Sequence, residues 1–325
     1  MATDRLHVLV TGGAGFIGSH LVDLLLERPN TRVTVLDKLT YAGTTINLGA
    51  HEGDPRFRFV RGDVADPAVV EPLVAEADRV VHAAAESFVD RSIEDSRAFV
   101  VSNVLGTQVM LEACREAGKP MLFVSTDEVY GSRTEGGFVE TDPMRPNSPY
   151  AASKAGADLL CRAYVVTYGA NVSVVRGTNA FGPRQHPEKA LPTFALAALE
   201  GRQLPVYGDG SNRREWLYVR DFVRAIATVL EAGEPAGVYN IGGGFELSNL
   251  ELARRVCAYL GAPESRIGFV PDRPGHDFRY GMVWERLAAL GWRPATPFDE
   301  GLAITLSWYR ENRAWVDAVL EGARP

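Results

Sequence analysis

The sequence predicts an α/β protein: a Rossmann-type, doubly wound parallel sheet with a smaller α+β substrate lobe toward the C-terminus. Three observations predict it. A short apolar run, His7-Val8-Leu9-Val10, leads straight into the glycine-rich turn Thr11-Gly12-Gly13-Ala14-Gly15-Phe16-Ile17-Gly18. Further apolar runs of strand length follow, with helical patterns between most of them, which argues for parallel strands joined by crossover helices. Past Asn179 the alternation breaks, and Pro183, Pro187 and Pro192 punctuate a loop-rich stretch.

Taken in order, apolar positions at helical spacing over residues 16–27 predict the first helix. Residues 32–37 read as the second strand, 57–60 as the third, 79–83 as the fourth, 121–125 as the fifth and 172–176 as the sixth. In the second half, 193–199 reads as a helix and 238–241 as one more strand, ended by Gly242-Gly243-Gly244. A Ser248-Asn249 cap signal opens a helix within 247–260, and 308–320 reads as a terminal helix. This pattern assigns residues 1–178 to a dinucleotide-binding domain, with 217–243 returning to it. Residues 179–216 and 244–325 then form the substrate lobe. With no repeat, low-complexity tract or long linker, the two lobes are expected to form one unit.

Composition narrows the function. The chain has 325 residues, 46% of them hydrophobic and 23% charged, as in an ordinary soluble globular protein. A formal net charge of −7 argues against nonspecific binding to nucleic acid or to an anionic membrane. No run approaches the roughly 18–20 apolar residues of a membrane span, and residues 1–9 lack the pattern of a signal peptide. A cytoplasmic enzyme is expected. Cys114, Cys161 and Cys257 are far apart and form no CxxC, so neither a metal site nor a disulfide framework is indicated.

Two constellations carry chemistry. In the first, glycines at 12, 15 and 18 follow a strand and open a helix, which permits close backbone approach of a pyrophosphate to the helix N-terminus. Asp37 ends the second strand and suits a ribose 2′-hydroxyl, hence NAD rather than NADP, with Lys38 beside it. Gly62-Asp63 ends the third strand and places a carboxylate toward the adenine amino group. In the second, Ser125-Thr126-Asp127-Glu128-Val129-Tyr130-Gly131 precedes Tyr150-Ala151-Ala152-Ser153-Lys154. Tyr150 and Lys154 are four apart, so on a helix they share a face, and a Lys cation there is expected to depress the Tyr pKa. Asp127 and Glu128 add two proton-handling groups, more than a simple oxidation needs.

These segments resemble the extended short-chain dehydrogenases/reductases that act on nucleotide sugars. More narrowly, AAAESFVDRSI, STDEVYG, SPYAASK, HPEK, GDGSNRREWLYVRD, YNIGGG and DRPGHDFRY resemble NDP-glucose 4,6-dehydratases, above all the dTDP-glucose type, over essentially the whole chain. The resemblance implies an internal redox cycle. Tyr150, supported by Lys154, takes the C4 hydroxyl proton while hydride passes to NAD+, and Thr126 holds the C4 oxygen. Glu128 then removes the C5 proton, Asp127 protonates the departing C6 hydroxyl, and hydride returns to C6. It also implies a cofactor set of Gly12, Gly15, Phe16, Ile17, Gly18, Asp37, Lys38, Asp63, Val64, Ala83, Tyr150 and Lys154. The implied nucleotide-sugar set is Ser87, Asn179, Lys189, Arg214, Arg273 and His276, with the two Arg residues on phosphate, and no metal is implied. An NDP-sugar 4-epimerase, or a dehydratase of different sugar or regiochemistry, is the alternative. The acid pair separates them, because epimerases usually lack it.

Three departures from the pattern stand out. Phe88 occupies the usual His position, which removes a hydrogen-bond partner for a sugar hydroxyl. Ala180-Phe181 replaces Asn-Tyr, and Arg184-Gln185 follows where Tyr and a His or Gln are frequent. Finally, the stretch from Phe99 to Leu111 is apolar around more than one helical face, and Leu159, Leu160, Tyr164, Val165 and Val166 extend beyond the catalytic face of the Tyr150 helix. The resemblance implies that these two helices pair across a two-fold axis as a homodimer.

Overall fold

A computed structural model describes residues 6–322. Its centre is a parallel seven-stranded sheet. In chain order the strands are β1 (Leu6–Thr11), β2 (Thr31–Asp37), β3 (Phe57–Arg61), β4 (Arg79–His82), β5 (Met121–Thr126), β6 (Val172–Gly177), β7 (Asn179–Phe181), β8 (Leu204–Tyr207), β9 (Arg213–Tyr218), β10 (Val238–Ile241), β11 (Glu246–Ser248) and β12 (Ile267–Val270). The large sheet runs β10-β6-β5-β4-β1-β2-β3. β1 sits at its centre, pairing Val8 with Val33 on one side and with Arg79 on the other. Val8, Leu9 and Val10 are fully buried, as expected of a strand covered on both faces.

Helices cover those faces. Leu21, Leu25, Phe222 and Ile226, from Phe16–Leu26 and Val219–Ala232, share one core with the sheet. Met110, Leu111, Cys161 and Tyr164, from Gly106–Ala117 and Pro149–Tyr168, belong to a second core on the sheet. Chain order reverses beside β1, because β2 and β3 lie to one side and β4, β5 and β6 to the other. Such a reversal opens a crevice at the C-terminal strand ends, where ligands of doubly wound sheets bind.

The second half holds two small sheets, β11-β9-β7 and β12-β8, packed with helices Ala190–Leu199, Asn249–Leu260, Phe298–Glu311 and Arg313–Gly322. Phe194, Leu252, Leu302 and Trp315 share its core. Three expectations need correction here. The helix expected from 247 begins at Asn249, because 246–248 pairs with β9. Ser248 caps it in a reciprocal box with Glu251. The terminal helix is two helices, broken at Asn312, whose side chain donates to Trp308 O at 2.9 Å. The helix expected over 193–199 starts earlier, at Ala190.

The stretch from Phe99 to Leu111 is also less exposed than its composition suggests. Phe99, Val109, Met110 and Leu111 are buried, whereas Val100, Val101 and Leu105 lie outside. Residues Val100–Leu105 are π-wound, which re-aims the side chains of this segment. All three cysteines are free and buried. Among the described residues, no helix is long and apolar enough to cross a membrane, and no cluster of His, Cys, Asp or Glu is arranged to hold a metal.

Candidate active site

A cavity of about 280 Å³ occupies the crevice. One end is the glycine turn between β1 and the first helix. Gly12 has φ +71°, and a Cβ there would lie 2.7 Å from the Ala84 Cα. A Cβ on Gly18 would lie 2.1 Å from Gly12 O. No larger residue fits at either position, so the backbone is open to a ligand's close approach. Phe16, Ile17, Val64 and Ala83 line the same end together with Gly12, Gly15 and Gly18.

Asp37 and Asp63 line this end too, but both have protein partners. Asp37 Oδ2 accepts from Ala14 N at 2.9 Å and its Oδ1 from Leu39 N at 2.8 Å. Burial raises its pKa against those two bonds. Asp63 Oδ2 is paired with Lys38 Nζ at 2.5 Å, and its Oδ1 accepts from Ala65 N at 3.0 Å. Partial burial opposes ionisation of Asp63, yet the Lys38 and Ala65 bonds bring its pKa below the ordinary value. Lys38 thus holds Asp63 rather than standing free beside Asp37.

The other end is built at the C-terminus of β5. Thr126 ends the strand and caps the single turn Asp127–Tyr130, its hydroxyl accepting from Glu128 N at 3.3 Å. That turn brings Asp127 and Glu128 to the cavity wall, opposite the helix Pro149–Tyr168, which Ser148 caps. Thr126, Asp127, Glu128, Tyr150 and Lys154 all line the one cavity.

The two carboxyls differ in surroundings. Asp127 is 2% exposed; Thr126 Oγ1 donates to its Oδ1 at 3.1 Å, while its Oδ2 is buried with no partner. Burial, then the charge of Glu128, pushes its pKa up to about 8, so Asp127 is a carboxylic acid at neutral pH. Burial also raises Glu128, but the cations of Arg273, Lys189 and Arg214 oppose that rise. The pair therefore offers a proton donor next to a carboxyl that nearby cations favour as a carboxylate.

Tyr150 and Lys154 differ from expectation. Lys154 Nζ donates to Val124 O at 2.7 Å and lies 4.2 Å from the centre of the Phe123 ring. It does not depress the phenol. Burial, then the Glu128 charge, raises the Tyr150 pKa above its ordinary value, with only the Thr126 hydroxyl bond pulling down. Lys154 itself is lowered to about 8 by burial. In this arrangement Tyr150 rests as the phenol.

Of the expected nucleotide-sugar residues, Ser87, Asn179 and Lys189 line the cavity. Lys189 Nζ donates to Ser87 O at 2.7 Å and sits 5.3 Å from the centre of the Phe88 ring. Arg214, Arg273 and His276 lie outside the lining. Arg214 lies over the Tyr280 ring at 4.5 Å and donates to the carbonyls of Arg213, Asp277 and Phe278. Arg273 is 3.8 Å from Asp90 and has a buried Nε without a partner. His276 Nδ1 is 2.6 Å from Asp272. The two Arg residues act on the site through their charge at Glu128.

The structure adds wall residues outside the expected site set: Glu86 and His186, which lie in the AAAESFVDRSI and HPEK segments, with Thr178 and Gln185. Thr178 was legible only as the neighbour of Asn179. Its hydroxyl donates to Glu215 O at 3.1 Å.

Strand, glycine turn, strand-end acid and the Tyr-Lys helix together define a dinucleotide-binding member of the extended short-chain dehydrogenase/reductase class. The model of the family described as GDP-mannose 4,6 dehydratase matches residues 9–305, and the chain belongs to that family. A dTDP-glucose 4,6-dehydratase of Actinoplanes is 52% identical over 316 residues, covering 95% of this chain and 99% of the relative. The crystal structure of a dTDP-glucose 4,6-dehydratase from Streptomyces venezuelae, solved with NAD bound, superposes with a TM-score of 0.95 at 49% identity. It covers 97% of this chain and all of that one. A UDP-glucose 4-epimerase from Thermus thermophilus in complex with NAD is more distant, at 36% identity and a TM-score of 0.86, with 94% of this chain and 100% of that chain covered.

Proposed function

We infer that the chain is an NAD-dependent dTDP-glucose 4,6-dehydratase, converting the sugar nucleotide to its 4-keto-6-deoxy form. The observation that carries this reading is the Asp127–Glu128 pair: one neutral acid and one cation-flanked carboxyl, side by side on the wall that also bears Tyr150. Epimerisation through the same oxidation has no use for a proton donor to a leaving hydroxyl.

The residues present fit NAD. The turn at Gly12 and Gly18 admits close backbone approach, and Asp37 stands where a ribose hydroxyl is accepted while a 2′-phosphate is repelled. When bound, NAD supplies the hydride acceptor for C4 and the donor for C6. Asp63, Val64 and Ala83 complete its cradle.

The chain's own groups handle protons. Tyr150 rests as the phenol, so it first gives up its own proton to solvent; as the phenolate it receives the C4 hydroxyl proton, with Thr126 holding that oxygen. The new ketone acidifies the C5 proton, which Glu128 removes. Asp127, protonated beforehand, gives its proton to the C6 hydroxyl as it leaves as water, and Glu128 returns its proton to C5 when C6 is reduced. Oxidation comes first because an unactivated C5–H bond is too weak an acid for a carboxylate to deprotonate. Lys189, Asn179 and Ser87 hold the nucleotide-sugar side, with Arg214, Arg273 and His276 beyond them toward the diphosphate. The lobe of residues 179–216 and 244–325 supplies this side apart from Ser87, which comes from the dinucleotide-binding domain. NAD and nucleotide sugars are metabolites of the cytoplasm, where this reading places the enzyme.

The exposed apolar residues Val100, Val101, Leu105, Leu159 and Val166 support a homodimer through the helices that carry them. The test of the function is incubation with a panel of NDP-hexoses, reading the 4-keto chromophore and loss of water by mass. A 4-keto-6-deoxy product from dTDP-glucose is expected. An isomer of unchanged mass overturns the reading in favour of epimerisation.

A further inference from the structure

Arg184 joins the two sides of the cavity. It lies at the start of the segment that leads into Lys189, and its guanidinium reaches the cofactor side. One terminal nitrogen donates to Asn47 O at 2.9 Å. The other donates to His20 Nδ1 at 2.9 Å and to the Asp23 carboxylate. His20 accepts at Nδ1, so its proton is on Nε2, which donates to Pro183 O at 2.9 Å. His20 and Asp23 belong to the helix that the glycine turn opens. Arg184 also has φ +65°, a left-handed conformation that side chains with a Cβ rarely adopt. Its side-chain bonds hold it there.

The network continues into the turn. Asn47 Nδ2 donates to Ala14 O at 2.8 Å, and Ala14 N donates to Asp37 Oδ2 at 2.9 Å. Trp315 Nε1 fixes Asn47 Oδ1 at 2.8 Å. One hydrogen-bonded path therefore runs from Arg184 to the strand-end acid of the cofactor cradle. The next two residues, Gln185 and His186, line the cavity with Oε1 and Nε2 buried and unpartnered. His186 Nδ1 accepts from Glu188 N at 3.3 Å, which puts its proton on the free Nε2. These are polar atoms left open toward a ligand.

We propose that Arg184 is a clasp: it pins segment 183–186 across the first helix so that Gln185 and His186 close the cavity over the dinucleotide and keep it from exchanging between turnovers. The proposal rests on the NAD reading above. A reaction that takes hydride and returns it within one cycle gains from a cofactor that stays, and the clasp is built from both sides of that cofactor's cavity. Arg184 is a positioning residue, acting through Gln185 and His186.

The test is the exchange of bound NAD for isotopically labelled NAD in the purified full chain, with nucleotide per chain measured after prolonged dialysis. Arg184→Gly adopts the left-handed backbone without steric cost and removes the side chain with its guanidinium. Asp23→Asn keeps the shape and removes the charge, and carries the test if the glycine variant does not fold. Both should exchange NAD at least about tenfold faster than the parent, as loss of a charge-assisted bond implies. Activity of the dialysed variants should return on adding free NAD. Parental exchange rates in the variants, even with a lowered Tm, would overturn the clasp and leave the contact as a joint between lobes. A parent chain that purifies without NAD(H) would instead overturn the cofactor reading itself, and the clasp with it.

Discussion

Asp127 and Glu128 are adjacent in sequence and burial raises both, yet the Glu128 charge adds to the rise at Asp127 while Arg273 and Lys189 oppose it at Glu128. Asp127 is enclosed, with its only side-chain hydrogen bond to the Thr126 hydroxyl, whereas Glu128 faces the charges of Arg273, Lys189 and Arg214. Asp127 therefore keeps a proton that its neighbour is helped to lose. That division of labour is what an elimination requires, since a proton must be taken at one carbon while another is delivered to the leaving group.

The first prediction separates these roles. Asp127→Asn combined with Glu128→Gln leaves Tyr150 and the cofactor cradle untouched. The double variant should still oxidise the sugar but not eliminate water, so the near-ultraviolet absorbance of reduced nicotinamide should build up on adding substrate. Stopped-flow absorbance with product mass analysis checks this. Complete turnover to the 6-deoxy product would sink the assignment.

The second prediction is the pH dependence of Asp127. Its native pKa of about 8 lies above the ordinary 3.8, so the acid form needed for protonating the leaving group is lost as pH rises through about 8. The kcat profile should have an alkaline limb there. Lys154 also deprotonates near 8, so the limb alone does not assign the group. Thr126→Val does: that hydroxyl donates to Asp127 Oδ1 at 3.1 Å and favours its charged form, so removing it should move the limb to higher pH. A limb that stays put assigns it to Lys154. Stability follows the same sign. The native state binds an extra proton between 3.8 and about 8, so this carboxyl's contribution is fully present below 3.8 and lost as pH rises to about 8. The Tm of Asp127→Asn should therefore gain on the parent across that window and gain no further above it.

Much of this site was readable from residues alone, and the reasons are physical. The glycines at 12 and 18 are fixed by contacts that admit no Cβ, so the turn is written in the sequence itself. The Tyr150–Lys154 pair depends on one helical turn, a local spacing. The environment of those residues was not readable. The direction of Lys154 toward Val124 O depends on strand β5 passing beneath the helix, and the raised Tyr150 pKa on burial and the Glu128 charge. Thr178, Gln185 and His186 reach the cavity only through tertiary placement, and Arg184 meets Asp23 across 161 positions. In the second lobe, β7 and β11 have three residues each, too short for alternation to register.

A third prediction concerns the base. Tyr150→Phe should lower kcat by at least about 10²-fold, the low end of general acid–base contributions. Lys154→Met removes the buried cation from the helix face shared with Tyr150. It should reduce the rate by loosening the helix that positions Tyr150, without moving the pH at which activity appears, because Lys154 Nζ is bonded to Val124 O and does not depress the phenol. Steady-state rates across pH check both. A near-parental rate in Tyr150→Phe would mean that another group takes the proton.

The last prediction is about assembly. Leu159 is 53% exposed and Val166 69% exposed on the helix that carries Tyr150, and Val100 is 52% exposed on the segment packed beside it. Leu160 and Val104, by contrast, are only partly exposed, and a Cβ on Gly156 would come within 3.6 Å of Val104. The outer face of this helix pair is therefore apolar and wet in a single chain, while its inner face is already used. A two-fold axis needs one such self-complementary face. Leu159→Glu with Val100→Glu should convert a dimer into a monomer without unfolding it, since neither side chain belongs to the core. Because Ser153, Lys154 and Tyr150 lie on the opposite face of the same helix, the monomer should also lose activity through a loosened catalytic helix rather than through lost contacts to substrate. Light scattering at micromolar concentration reads the mass, and kcat against KM reads the second effect. A parent chain of monomer mass contradicts the dimer directly. So does a charged double variant whose mass and kcat are both unchanged.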